Sequence, residues 1–462
     1  MRTMGKNAMG VLALLLGACS HAPKTSGLAD ADSLNLGLVV LAPGHFHASL
    51  LQKNALYGVN DTVSVYAPEG SEVEQYLSDI NSYNNRDEQP TAWKEQVYTG
   101  NDYLEKMLAD KKGDIVMLAG NNQKKTTYIN QAVKAGYHVL SDKPMAINKK
   151  DFELLSEAYK LAGQNGVVLY DLMTERYDIL NIIEKELLND KGVFGYLLPG
   201  TPQAPSVYME SVHHFYKEVT GKPLVRPAWY YDVKQQGEGI ADVTTHLIDL
   251  VAWQCFPDTA IRYQTDVKVN DAKHWPTRIS LVEYTRSTQM DSFPDYLKKD
   301  VKNDVLEVMA NGTLSFSLFR TNIGIKVLWN YVAPPQGGDT FSSVKKGSKA
   351  TLRILQNKGN NFVKQLYIQP EAHINEAEWE DLLGKCLKGK FPFANIVKEK
   401  DGRYLIDVPQ ANRLGHEDHF GKVASTFLHY VRHKDIPEWE KANTLAKYYI
   451  TTTAVEMANR QK

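Results

Sequence analysis

Lys143, Asp242 and His246 are the side chains of this sequence whose types and settings suit proton and charge transfer. Lys143 closes the run Gly136-Tyr137-His138-Val139-Leu140-Ser141-Asp142 and is followed by Pro144. An ammonium there can hydrogen-bond an oxygen and stabilise negative charge as it develops, a role worth about 3 kcal/mol for one well-placed donor. Asp242 and His246 lie in Gly237-Glu238-Gly239-Ile240-Ala241-Asp242-Val243-Thr244-Thr245-His246, a glycine turn leading into an apolar helix that reaches Trp253. Four residues apart on a helix, they share a face at about 6 Å. A carboxylate so placed orients the imidazole and favours its protonated form, as a general base near neutral pH requires. Taken singly, a strand-end lysine is ordinarily a solvated charge and an Asp/His pair at this spacing is ordinarily structural. Taken together, the three describe a cleft that takes a proton and stabilises charge. No serine or cysteine nucleophile motif accompanies them.

The elements needed to position them alternate. Residues 114–119 read as a strand, 127–135 as a helix and 136–141 as the next strand, a parallel βαβ crossover. Ligands of such sheets sit beyond the carboxyl ends of the strands, the edge that receives Lys143. Residues 36–42, 62–67, a short stretch near Val97 and 167–172 supply further strands. Segments 47–57, 102–108 and 151–163 supply helices. About six strands alternating with helices predict a doubly wound sheet. After Met173 the texture changes: a helix begins at Glu175-Arg176-Tyr177 and reaches Leu188, and 192–198 reads as a strand. Residues 261–355 alternate β-branched and aromatic positions, with 442–459 helical at the end. The expected fold class is α/β. Residues 1–34 form a leader and tether, 35–173 a Rossmann-like doubly wound parallel sheet, and 174–462 an α+β substrate-binding domain on a mostly antiparallel sheet. That sheet can pack one face on helices and offer the other to substrate or a partner subunit.

With 462 residues, two domains are expected. Lys and Arg number 53 against 54 Asp and Glu, so no basic footprint for nucleic acid exists and a small molecule is the expected partner. The 25 tyrosines suit stacking and hydrogen bonding to polyols. Arg2 and Lys6 precede an apolar run over 11–16, and Leu16-Gly17-Ala18-Cys19 closes it, resembling a bacterial lipobox in which Cys19 becomes the lipidated first residue. Residues 20–33 then read as a flexible tether. The remaining cysteines, Cys255 and Cys386, show no metal spacing. No other run approaches the ~20 residues that span a bilayer.

The first strand ends in Ala42-Pro43-Gly44-His45-Phe46-His47, where a dinucleotide-binding domain carries G-x-G-x-x-G. Only Gly44 matches; Ala42 stands at the first glycine and His47 at the third. Glu69, just after the second strand, is the candidate for the ribose hydroxyls. His45 and His47, His213 and His214, and His416 and His419 lack the i, i+4 spacing of a zinc pair with its glutamate base, so no metal is expected. His416 and His419 are expected to flank the substrate cleft or cap a helix starting near Phe420.

The stretches Ala132-x-x-Ala135-Gly136 through Pro144, Arg176-Tyr177, and Gly237-x-Gly239-x-x-Asp242-x-x-x-His246-x-x-Asp249 resemble the Gfo/Idh/MocA family of glucose-fructose oxidoreductase and inositol dehydrogenase. In that family an E-K-P lysine and an Asp-x-x-x-His pair line a sugar cleft beside the nicotinamide, and Lys143, Asp242 and His246 match them. Asp142 replaces the usual glutamate, and Lys125 stands where the family has a helix-start histidine. The resemblance implies NAD or NADP as cofactor, held by Pro43, Gly44, His45, Phe46, His47, Glu69, Asn121, Asn122, Asp142 and Lys143. It implies Arg176, Tyr177, His416 and His419 as substrate-binding residues, and a homo-oligomer through the C-terminal sheet. The Pro-Gly-His-Phe-His turn with a lipobox is similar to a lipoprotein subgroup of Bacteroides-type bacteria. That narrower likeness implies oxidation of a sugar or glycoside at C3 to a 3-keto product. The cofactor would be tightly bound, and the protein exported and lipid-anchored, on the periplasmic face of the outer membrane or the cell surface. Two alternatives stay open: redox-neutral glycoside cleavage through transient C3 oxidation and elimination, and a non-catalytic sugar-binding lipoprotein.

Overall fold

The computed structural model describes residues 35–219 and 222–461; the expectations for Cys19, the leader and the tether lie outside the described residues. Strands β1 (Leu36–Leu41), β2 (Val59–Ala67), β3 (Lys94–Thr99), β4 (Ile115–Leu118), β5 (His138–Ser141) and β6 (Leu169–Asp171) form a parallel sheet in the order β3-β2-β1-β4-β5-β6. Along β1, Leu36, Leu38 and Val40 enter one core with Val63, Val65 and Met117, while Val39 and Leu41 enter the opposite one with Val116 and Leu118. Both faces are covered, which is why the run is apolar throughout. The strand order turns between β1 and β4, opening a crevice at their carboxyl ends.

Helices α1 (His47–Leu50), α2 (Ser71–Asn85), α3 (Tyr103–Asp110), α4 (Lys125–Lys134) and α5 (Lys149–Asn165) connect these strands. Helix α1 is a single turn, shorter than the expected 47–57. The Gln52 carbonyl accepts from the Trp93 indole and the Lys53 carbonyl from Arg86, so carbonyls that a longer helix would use are already bound. Helix α5 starts where Asn148 accepts from the Asp151 amide and stops at Gly166, whose φ is 65°.

The chain continues through α6 (Ile179–Asn189), β7 (Val207–Tyr216), β8 (Glu218–Val219), β9 (Lys222–Pro223), α7 (Gly239–Asp242), α8 (Thr244–Cys255), β10 (Val267–Ser280) and α9 (Leu281–Thr288). Then come β11 (Val301–Lys302), β12 (Val305–Leu318), β13 (Thr321–Val332), β14 (Thr340–Lys346), β15 (Ala350–Gln356), β16 (Gln365–Pro370), α10 (Glu376–Lys390), β17 (Asn395–Lys398) and β18 (Tyr404–Asp407). A large second sheet runs β10-β12-β13-β7-β14-β15-β16-β18-β17, with β11 beside β12; β13 and β7 are parallel and the other neighbours antiparallel. The strand expected over 192–198 reduces to one bridge, Leu197 to Gly347. The Gly192 and Val193 amides donate to Asp190 Oδ1 and are lost to any ladder.

Two closing helices, α11 (His416–His433) and α12 (Glu438–Asn459), return to the first sheet. Phe420, Val423, Phe427 and Val431 of α11 join one of its cores, and Leu445 and Tyr448 of α12 join the other. The first sheet is thus completed by the last helices of the chain. Among the described residues no helix is long and apolar enough to cross a membrane.

Candidate active site

Lys143 leaves the carboxyl end of β5 through a cis peptide to Pro144, and its ammonium donates to Asp242 Oδ1. Asp242 reaches it because α7 lies flat on β12. A Cβ on Gly239 would stand 1.9 Å from the Ala310 carbonyl oxygen, so only glycine permits this approach. The second Asp242 oxygen accepts from Gln236 Nε2 at 3.2 Å. Asp242 is buried; burial disfavours its charge, and Lys143 outweighs that to hold its pKa below the usual range. For Lys143 the balance runs the same way: burial opposes the ammonium, and Asp242 followed by Asp142 holds its pKa above the usual lysine value.

His246 lies one turn beyond Asp242, yet the expected orienting bond is not made. Both Asp242 oxygens are occupied by Lys143 and Gln236, and His246 Nδ1 is buried without a partner. Burial, then the Lys143 charge, lowers its pKa to about 4. The imidazole is neutral at physiological pH, the reverse of the protonated form expected from an aspartate partner. Glu175 is the first of the groups that pull the other way. Its own pKa falls to about 2 because Lys364, 3.2 Å away, pairs with it against the cost of burial.

The β1–α1 turn keeps a glycine-like backbone without the glycines. Ala42 adopts a left-handed φ of 47°, and the Gly44 and His45 amides both donate to the Ala119 carbonyl. Pro43 is buried and Phe46 half exposed. His45 and His47 place Nδ1 3.3 and 3.1 Å from the Asp142 carboxylate, and His416 stacks on His47 at 5.1 Å. Glu69 is exposed just beyond β2, where a ribose hydroxyl acceptor belongs. Gly44 leaves room for close approach, although the Glu72 carboxylate lies 3.0 Å from where its Cβ would stand and is held by the Trp229 indole. Gly44, Phe46 and Glu69 fit a dinucleotide once the Glu72 carboxylate, which would repel phosphate, swings aside.

Four expected contacts are placed elsewhere. Arg176 is buried, not in the cleft: it binds both Asp249 oxygens at 2.6 and 2.7 Å and both Glu440 oxygens at 2.8 and 2.9 Å. Tyr177 bonds Thr426 at 2.7 Å and packs beside the first sheet's core. Asn121 and Asn122 spend their amides on Gln235 and Gln236 of the second domain, at 2.8 Å each. Burial of the chain at the domain seam, which sequence spacing does not reveal, sets all four. His416 is exposed at the start of α11, and His419 is buried with Nε2 unpartnered. Gln236, Glu175 and Lys364 escaped the sequence reading; Gln236, directly before Gly237, carried the only available signal. A small cavity beside Asp242 is lined by Phe215, Tyr230, Gln236 and Trp329.

Residues 38–171 match the model described as "Oxidoreductase family, NAD-binding Rossmann fold", and residues 183–459 match "Putative oxidoreductase C terminal domain". The chain is similar to a crystal structure of a "putative oxidoreductase" from Parabacteroides merdae, with 46% identity, TM-score 0.92, and coverage of 94% of this chain and 99% of that one. A 3-ketoreductase from Actinomadura kijaniata, solved with NADP and TDP-benzene, shares the fold at 12% identity and TM-score 0.53 over 90% of this chain and 96% of that one. D-xylose dehydrogenase of Paenarthrobacter nicotinovorans is 25% identical over 40% of this chain, which spans 44% of that protein's length. With an NAD-binding Rossmann domain followed by an oxidoreductase C-terminal domain, the chain is an NAD(P)-binding oxidoreductase and belongs to the Gfo/Idh/MocA family.

Proposed function

We propose that the protein oxidises a hydroxyl group of a sugar or glycoside, at C3, to give a 3-keto product. The observation that carries this reading is the meeting of Lys143, bound to Asp242, with a neutral His246 at the carboxyl edge of β5. Lys143 donates to the substrate oxygen and stabilises negative charge as the proton leaves. His246 accepts that proton, and the imidazolium so formed is stabilised by Glu175, Asp249 and Asp242. A bound nicotinamide nucleotide supplies the acceptor for the hydride from the sugar carbon; Gly44, Phe46 and Glu69 are the residues that would hold it. The D-xylose dehydrogenase likeness supports a sugar as substrate.

The reading extends to an exported protein, lipid-anchored through Cys19, whose cofactor is captured before export, stays bound and is recycled by a second sugar or an external acceptor. The less buried face of the second sheet is the surface we propose for a homo-oligomer. The test is incubation of natively produced protein with an aryl glycoside, with mass spectrometry of nucleotide released on denaturation. An accumulating keto-glycoside with reduced cofactor supports the proposal. Free aglycone without net reduction replaces it with elimination, and protein that neither carries nor binds a nucleotide overturns it.

A further inference from the structure

The β1–α1 turn and the end of β5 bring together two imidazoles and a carboxylate that the proposed chemistry does not use. One donor atom from each of His45, His47 and Asp142 lies within 4.8 Å of the others. Asp142 Oδ1 is 3.1 Å from His47 Nδ1, and Oδ2 is 3.3 Å from His45 Nδ1. Bonds of about 2.0–2.2 Å to a shared tetrahedral or octahedral ion give separations of about 3–3.5 Å between neighbouring donors. Both imidazole–carboxylate separations are already at that spacing.

Hydrogen bonding does not account for it. His47 Nδ1 and Asp142 Oδ1 are buried and lack a hydrogen-bond partner despite their proximity. Asp142 is 3% exposed, and among the described residues its carboxylate makes ion-pair contacts only with these two imidazoles. The neighbouring lysines do not neutralise it by contact: Lys143 is taken by Asp242, and Lys125 donates to the Asp142 backbone carbonyl at 3.1 Å. His47 is also fixed in orientation, stacked on His416 and edged by Phe420 at 5.4 Å, and its amide donates to His45 Nδ1 at 3.3 Å. The two lysine charges nearby oppose a divalent ion, so its affinity is expected to fall short of a closed structural site.

We propose that His45, His47 and Asp142 form a binding site for one divalent transition-metal ion of the zinc, cobalt or manganese class, open to solvent on the His45 side. Two imidazoles and one carboxylate are a donor set that such ions accept with positions left for water or a substrate oxygen. The expectation of no metal rested on spacing along one helix. His45 and His47 instead converge from a turn two residues apart, and the carboxylate comes from another strand.

The test is metal binding, read independently of turnover. Full-length protein stripped with chelator is titrated with Zn2+ against a chromophoric competitor, and with Co2+ by visible absorption. One equivalent is expected to bind. Asp142→Asn and His47→Ala, each checked for folding by circular dichroism, should weaken binding by more than the roughly 10- to 100-fold that loss of an outer partner costs. His45→Ala combined with His47→Ala should abolish it. Replacing His429 and His433, an exposed pair on α11 with ring centroids 4.4 Å apart, should leave it unchanged. No stoichiometric binding to the wild type, equal binding to the Asp142→Asn protein, or loss on replacing His429 and His433 would each overturn the proposal.

Discussion

Arg176→Met should destabilise the protein strongly while leaving sugar recognition alone. Its guanidinium makes four hydrogen bonds of 2.6–2.9 Å to Asp249 and Glu440, all buried. Lys447 also pairs with Asp249, at 3.0 Å, and with Asp171 at the end of β6, at 2.9 Å. The network thus holds two cations, Arg176 and Lys447, against three carboxylates, and the substitution leaves one against three. Asp249 keeps Lys447, but Glu440 keeps only the Tyr170 hydroxyl at 3.5 Å. Removing one partner of a buried pair costs about 3–5 kcal/mol, and the loss of contact to two carboxylates puts this case near about 4 kcal/mol or above. Urea unfolding with fluorescence should show an earlier midpoint, and adding Glu440→Gln should restore part of the loss. KM for sugar in the surviving folded fraction should stay at the wild-type value. An unchanged unfolding midpoint with a raised KM would refute the structural role and return Arg176 to the cleft.

In a cofactor-reduction assay His246→Gln should lower kcat/KM by ~10² to 10⁴ in rate with a wild-type thermal midpoint near pH 7.5, and Lys143→Met by about 3 kcal/mol in barrier together with a lower midpoint, because buried Asp242 loses its cation. Because the folded pKa of His246 is about 4 against an ordinary 6.5, protonation should not erode kcat/KM between pH 7.5 and 5.5; an acid limb centred near 6.5 would contradict the assignment. The same displacement links to stability. The unfolded chain binds the extra proton first, so stability falls as pH drops from about 6.5 toward 4, by at most about 3 kcal/mol, and His246→Gln should flatten that slope. Ala42→Gly should raise the thermal midpoint, gaining up to about 1 kcal/mol from relief of a left-handed alanine net of the added chain entropy. Gly239→Ala should cost about 1–3 kcal/mol and much of the activity, since α7 must lift from the Ala310 carbonyl and carry Asp242 from Lys143.

The alternation of apolar strands and helices was legible because both faces of the first sheet are buried, leaving β1 and β4 apolar throughout. Lys143 could be placed at the carboxyl edge from order alone, since a parallel crossover fixes which strand end faces the crevice. Gly237 and Gly239 marked a turn, but the close approach of Gly239 to the Ala310 carbonyl came only from packing. Pairing was another matter. Helical spacing put Asp242 beside His246, but a carboxylate follows the nearest cation, and only the packing of α7 on β12 revealed that Lys143 is that cation. Arg176 was equally opaque: whether a guanidinium meets substrate or a buried Asp249 and Glu440 depends on where α8 and α12 lie. The sequence by itself thus determined the order of elements and the edge that bears the chemistry, because hydrophobic periodicity and chain direction are local properties. Tertiary structure alone decided which charges neutralise one another, brought Asp142 between His45 and His47, and made His246 neutral, because burial and contact distance are properties of the packed whole.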